Sequence, residues 1–269
     1  MSLDKVNDKN KGISFRKLLL EEYPPIEEIN HIPSMGTWKL SGYFYHITKN
    51  LSGNGCIVEC GAWLGSCTAA MALGLADKKS TIPIHTFDYF KARGQDGEVL
   101  KAMNAGVELV DGQDTLKVVK KYIKPLYRNV VYHKGYIMDF KWDPKNKIVF
   151  YVDDMNKHPK SFIHALNTFG PAWIPGKTLI ALMDFHIYKR PYHANRKTGI
   201  YQSKFIKKYK NHFKLIRDFE DKKNTAVIFK YIKKLDFSKV KYNKEDDYEL
   251  THGSKNKKEG LKRYMNKTE

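Results

Sequence analysis

The sequence predicts an α/β protein built on one doubly wound, mostly parallel sheet, with an antiparallel hairpin at its C-terminal side. Three observations carry that expectation. Short apolar runs such as CIVEC, TIPIHTF and KIVFYVDD recur along the chain, and stretches rich in helix formers separate them. The first run ends on Gly61 and Gly65, as a buried parallel strand does before a tight turn into a helix. A chain of 269 residues fits one α/β domain with decorated ends.

From Ile13 to about Asn50, helical pieces broken at Pro24, Pro25 and Pro33 read as an N-terminal cap, residues 1–50. The strand CIVEC opens the main domain, residues 51–234, and SCTAAMALGLA follows as a helix with Ser66 as its capping candidate. TIPIHTF then reads as a strand, EVLKAMNAGVELV and TLKVVKKYIKPL as helices, and VVYH and KIVFYVDD as strands. After the helix HPKSFIHALNTFG comes the strand of IPGKTLIALMD, and YQSKFIKKYKNHF is helical. Two strands around a polar turn in HFKLIRDFEDKKNTAVIFKYIK supply the hairpin. Beyond about Lys234 the composition turns to lysine, asparagine and acids, which predicts a weakly ordered basic tail over 235–269.

With 42% hydrophobic and 13% aromatic residues, the chain can bury a core without disulfides or a structural metal. Cys56, Cys60 and Cys67 crowd one segment without a second Cys/His cluster to complete a zinc site, and read as reduced packing residues. No run approaches the roughly 20 apolar residues of a membrane span, and the polar first residues lack a signal-peptide core, so a cytoplasmic location is expected. The formal net charge of +19 favours anionic partners: nucleic acid, nucleotide sugars, phosphorylated glycans or acidic membrane surfaces.

The chemistry concentrates at predicted strand ends. In VECGAWLGSCT the glycines let a ligand approach the backbone, Glu59 precedes them, and the helix that follows offers unpaired amides to an anionic group. The G-x-x-x-G-S spacing differs from the dinucleotide G-x-G-x-x-G and lacks a P-loop lysine, which disfavours NAD and ATP. Asp88, ending the second strand, can accept hydrogen bonds from a ribose; as a turn cap it would be purely structural. Two carboxylates beside a glycine turn suit a cationic adenosyl ligand such as S-adenosylmethionine.

VECGAWLGSCTAAMAL, FDYF, HKGYI, FYVDDMNKHPKSFIHAL and IPGKTLIALMDFH, in that order, resemble the macrocin O-methyltransferase-like branch of the class I S-adenosylmethionine-dependent methyltransferases, over roughly Pro25 to Tyr231. The resemblance implies a Rossmann-like methyltransferase fold. It also implies cofactor contact by Glu59, Gly61, Gly65, Ser66 and Asp88, with Trp63 or Tyr89 near the adenine and Asp153 near the sulfonium.

Members of this branch hold a metal with D-x-D and D-D-Y carboxylates, whereas this chain has DDM and Asp184-Phe185-His186. Asp153 or Asp154 with Asp184 and His186 could form an O/N site for Mg2+, or the metal is lost with the missing acid. Asp154, His158 and His186 are the candidates for the base that an alcohol acceptor requires, with His158 and His186 equally readable as a helix cap and a surface histidine. Tyr188, Lys189, Arg190, Tyr192, His193 and Arg196 form a basic, aromatic stretch where acceptors commonly dock in this class. The leading expectation is an O-methyltransferase of a sugar or of a glycosylated or anionic metabolite. Its rivals are a nucleic-acid methyltransferase and a non-catalytic binding protein on the same fold.

Overall fold

The computed structural model describes residues 25–36, 38–189, 196–220 and 225–243, with the backbone alone at 38 and 196–199. Seven strands form one sheet: β1 (Cys56–Cys60), β2 (Ile84–Asp88), β3 (Val130–Lys134), β4 (Ile148–Asp153), β5 (Leu179–Leu182), β6 (Phe213–Asp218) and β7 (Val227–Tyr231). Their spatial order is β3-β2-β1-β4-β5-β7-β6. β3, β2, β1, β4 and β5 pair in parallel, and β7 runs antiparallel between β5 and β6. The hairpin therefore enters the sheet through its second strand and leaves its first at the edge. The order reverses between β1 and β4, where ligand crevices open beyond strand carboxyl ends.

The central strands are buried on both faces, which is why CIVEC and IVFYVD read as near-continuous apolar runs, interrupted only by Glu59 and Asp153, rather than as alternations. On one face Ile57, Phe150 and Ala181 pack against α1 (Trp38–Asn50), α2 (Ser66–Asp77) and α4 (Leu116–Ile123). On the other, Val58, Tyr151 and Phe229 meet α5 (Pro159–Phe169) and Phe205 of α6 (Arg196–Lys208). Helix α1 belongs to the main core: Phe44 sits edge-on to Phe150 at 5.5 Å, and Thr48 Oγ1 donates to the Met71 carbonyl of α2 at 3.0 Å. Gly74 of α2 lies against this helix with no room for a side chain.

Two segments depart from the sequence expectation. The helix α3 (Gly94–Ala102) stops well short of Val110, because Asn104 and Gly106 take positive φ values of 49° and 64°. The β3–β4 crossover, where the sequence reading places no helix, has a single 3-10 turn at Ile137–Asp139, and Phe140 and Trp142 cover Phe87. The expected tail boundary at 235 falls within packed residues: Leu235, Phe237 and Val240 are buried, and Phe237 meets Trp173 edge-on at 5.3 Å. Residues 244–269 and the segment before Pro25 lie outside the described residues. Among the described residues no helix is long and apolar enough to cross a membrane.

The three cysteines are free. Burial pushes the Cys56 thiol up to about 12, consistent with a packing role rather than a reactive one.

Candidate functional site

Backbone hydrogen bonds tie neighbouring strand ends into a continuous floor. Gly61 N–H donates to the Phe87 carbonyl (2.8 Å), Asp154 N–H to Cys60 (2.8 Å) and Met183 N–H to Asp153 (3.0 Å). Gly61 has φ +97°, and a Cβ there would press on the Asp154 backbone and the Met155 side chain at 3.2 Å. Gly65 has φ +88° and occupies the capping position of α2 that the sequence assigns to Ser66, so no side chain caps the helix. Its first-turn amides lack capping partners where Ser66 and Cys67 line a cavity.

Asp88 holds this turn in place. Its Oδ2 accepts from the amides of Ala62 (2.9 Å) and Trp63 (3.0 Å), and its Oδ1 from Phe90 (2.7 Å). A carboxylate offers about four acceptor positions, so roughly one remains for a ligand hydroxyl at the cavity wall. The sequence expectation of a ribose contact therefore acquires a second role, fixing the loop that faces the ligand. Trp63, at φ +46°, buries its indole N–H without an acceptor among the described residues, while Tyr89 is exposed and stands 6.4 Å from Tyr136.

Glu59 lies beneath the turn, fully buried, with Thr68 Oγ1 donating to its Oε2 at 2.5 Å. It does not line the cavity. Burial raises its carboxyl from 4.5 to about 7, against the lowering effect of the Thr68 and Thr86 hydroxyls. Between these values the folded chain keeps a proton that the unfolded chain has released, so stability falls as pH rises through that window and then levels off. The full loss is about 3 kcal/mol. Glu59→Gln should remove it, gaining on the wild type from pH 5 to pH 8 in urea denaturation. A stability difference that stays flat over this range would mean that the buried carboxyl does not titrate there.

The cavity has a volume of about 1520 Å³ and opens at the carboxyl ends of β1, β2, β4 and β5. Typical small-molecule sites occupy roughly 300–1,000 Å³, so there is space for more than one ligand. Its walls include Gly61, Trp63, Ser66, Asp88 and Tyr89 on one side and Asp154, Lys157, His158 and Asp184 on the other. Met35 and Leu40 close it from the N-terminal segment, and Arg93 and Met103 from the β2–α4 insertion.

The carboxylates expected to hold a metal are arranged differently from the sequence assignment. Asp153 is buried and turned from the cavity: its Oδ1 accepts from the Asn156 amide at 2.9 Å and its Oδ2 from Tyr151 at 3.1 Å. Asp154 faces Asp184 instead, and the Lys157 ammonium stands between them, 2.5 Å from Asp184 Oδ2 and 3.4 Å from Asp154 Oδ1. The same ammonium donates to the Asp154 carbonyl at 2.7 Å, and Thr225 Oγ1 donates to Asp184 Oδ1 at 3.0 Å. These residues do not fit Mg2+, because a positive side chain already uses the oxygens that would ligate it.

Burial raises the Asp154 carboxyl to about 6, with Lys157 pulling it down and Asp184 pushing it up. Lys157 is held protonated: burial lowers its pKa, but Asp154 and Asp184 together raise it further. His158 lines the cavity and caps α5, its Nδ1 accepting from the Lys160 amide at 3.4 Å. His186 is not among the residues lining the cavity, and its Nε2 meets Asp218 at 3.0 Å. Lys189 pairs with Glu220 at 2.7 Å, and Tyr188 stands beside His186. Arg190, Tyr192, His193 and the Arg196 side chain lie outside the described residues.

Lys157 and Thr225 were not singled out in the sequence. The DDMNK spacing places a lysine three residues after Asp154, but one lysine among 48 basic residues carries no separate signal.

No family model matches the chain, and no curated protein matches it by sequence. Among solved structures it is similar to the O-methyltransferase NovP, at 15% identity and a TM-score of 0.50, over 81% of this chain and 97% of that one. It is also similar to the S-adenosylhomocysteine-bound methyltransferase PaMTH1 of Podospora anserina, at 12% identity and a TM-score of 0.52, over 86% and 100% of the two chains. At these identities the likeness is one of fold. The chain has the Rossmann-like fold of the class I S-adenosylmethionine-dependent methyltransferases.

Proposed function

We propose that the chain is an S-adenosylmethionine-dependent O-methyltransferase acting on a sugar or on a glycosylated or anionic metabolite. The observation that carries the reading is the Gly61–Gly65 turn, pinned to Asp88 at the switch point of the sheet and opening an uncapped helix onto the cavity.

The first-turn amides of α2 receive the cofactor's carboxylate, the remaining acceptor position of Asp88 takes a ribose hydroxyl, and Trp63 and Tyr89 flank the adenine. S-adenosylmethionine supplies an electrophilic methyl group and a neutral thioether leaving group. Methyl transfer is an in-line displacement, so the protein's work is alignment of the acceptor and removal of its proton. Asp154 is the best-placed base: it lines the cavity, and burial with Asp184 nearby raises its carboxyl above that of an ordinary aspartate, against the pull of Lys157. His158, at the start of α5, is the second candidate. Arg93 on the insertion supports an anionic acceptor, as does the net charge of +19.

Calorimetric titration with S-adenosylmethionine and S-adenosylhomocysteine, with NAD and ATP as controls, tests the proposal. Saturable binding of the adenosyl pair alone is expected, followed by methyl transfer to an acceptor in glycan or nucleotide-sugar pools. Binding without transfer, in RNA pools as well, would replace the enzyme with a binding protein. No binding of either adenosyl compound would sink both.

A further inference from the structure

Resting on the methyltransferase reading, we infer that the Lys157 ammonium is a built-in replacement for a divalent cation at the acceptor end of the cavity, so that the reaction runs without a metal. An ammonium has three donors, and three oxygens receive them: Asp184 Oδ2, the Asp154 carbonyl and, more distantly, Asp154 Oδ1. A hard divalent ion would need these same oxygens and several more.

The surroundings are built around the lysine. Thr225 fixes the other oxygen of Asp184, so that carboxylate presents one edge to Lys157. The next position, where a third acidic ligand would be useful, is Phe185, whose buried ring packs against Phe229 in the core of the opposite face. Asp153 is likewise withdrawn to Tyr151 and Asn156. Two cavity-facing carboxylates therefore share one fixed positive charge. All three donors are used on these oxygens, so the ammonium holds the two carboxylates together in the cavity wall as a divalent ion would.

Removing the ammonium leaves two half-buried carboxylates facing each other, which is the condition that captures a cation. The test is a Mn2+ titration of the full chain followed by electron paramagnetic resonance, run beside calorimetry with S-adenosylhomocysteine. The wild type should show no Mn2+ site dependent on Asp184. Lys157→Met should gain one, at least about tenfold tighter than any wild-type binding, and lose it again with Asp184→Asn. Lys157→Arg, which keeps the charge, should stay without one.

His186, Asp218 and Glu220 cluster closely enough to hold a metal elsewhere, so Asp218→Asn controls for binding there. Wild-type Mn2+ binding that vanishes in Asp184→Asn and survives Asp218→Asn would overturn the inference. So would the absence of any gain in a cooperatively melting Lys157→Met. Should Lys157→Met not fold, the wild-type and Asp184→Asn titrations decide alone. Failure of S-adenosylhomocysteine to bind would retire the methyltransferase reading, while the Mn2+ result would still report on the ammonium.

Discussion

Asp88→Ala is expected to abolish measurable S-adenosylmethionine binding and to destabilise the fold by about 3 kcal/mol. The side chain accepts three backbone amides, from Ala62, Trp63 and Phe90, and without it these donors must find water in a partly buried turn. Binding suffers twice, through the lost acceptor for a ribose hydroxyl and through release of the loop that shapes the pocket. Asp88→Asn separates the two effects. Its amide oxygen can keep some of the turn's hydrogen bonds, so stability should recover more than affinity. Urea denaturation reads the first quantity and calorimetry the second. A folded Asp88→Ala protein with undiminished affinity would show that the cofactor site has been placed wrongly.

The second large effect is expected far from the chemistry. Gly74→Ala should cost about 3 kcal/mol or more, with loss of cooperative folding as the extreme outcome. A methyl group at this position would overlap both Thr48 Oγ1 and the Tyr45 carbonyl oxygen of α1, so the two helices would have to separate. The gain in helix propensity, about 1 kcal/mol, is too small to compensate. Thr48→Ala in the same chain should restore only part of the loss, because the Tyr45 carbonyl belongs to the backbone and cannot be trimmed. Thermal unfolding of the single and double variants measures this. A Gly74→Ala protein as stable as the wild type would mean that α1 sits farther from α2 than described.

The parts of this molecule that were legible in the sequence are those written in local pattern. CIVEC, a five-residue apolar run ending on glycine, could hardly be anything but a buried strand, and the Gly61–Gly65 spacing announced its turn. Asp88 was legible as a position but not as a set of partners, because two of the three amides it binds, Ala62 and Trp63, lie about 25 residues upstream and come within reach only through β1–β2 pairing. The same limit explains His186. Its sequence neighbourhood looked catalytic, yet its ring is fixed by Asp218, 32 residues later, on a strand whose place depends on the insertion of β7. The choice between Asp153 and Asp154, left open by the sequence, turns on strand alternation: adjacent residues at a strand end point to opposite sides, and one of them had to go inward.

Residues 89–115 pack a small apolar cluster, Ala92, Leu100 and Leu109, onto Leu64 of the Gly61–Gly65 turn, separate from the two cores that hold the sheet. The cavity floor, by contrast, is fixed by strand-to-strand hydrogen bonds that this insertion hardly shares. A wall that is internally packed can exchange its inward-facing side chains, Arg93 and Met103 among them, without loosening the floor. On the proposed methyltransferase reading, changes in what the protein accepts and changes in how it holds the methyl donor are thus free to accumulate independently, and descendants of this chain could diverge in substrate while keeping one unaltered engine.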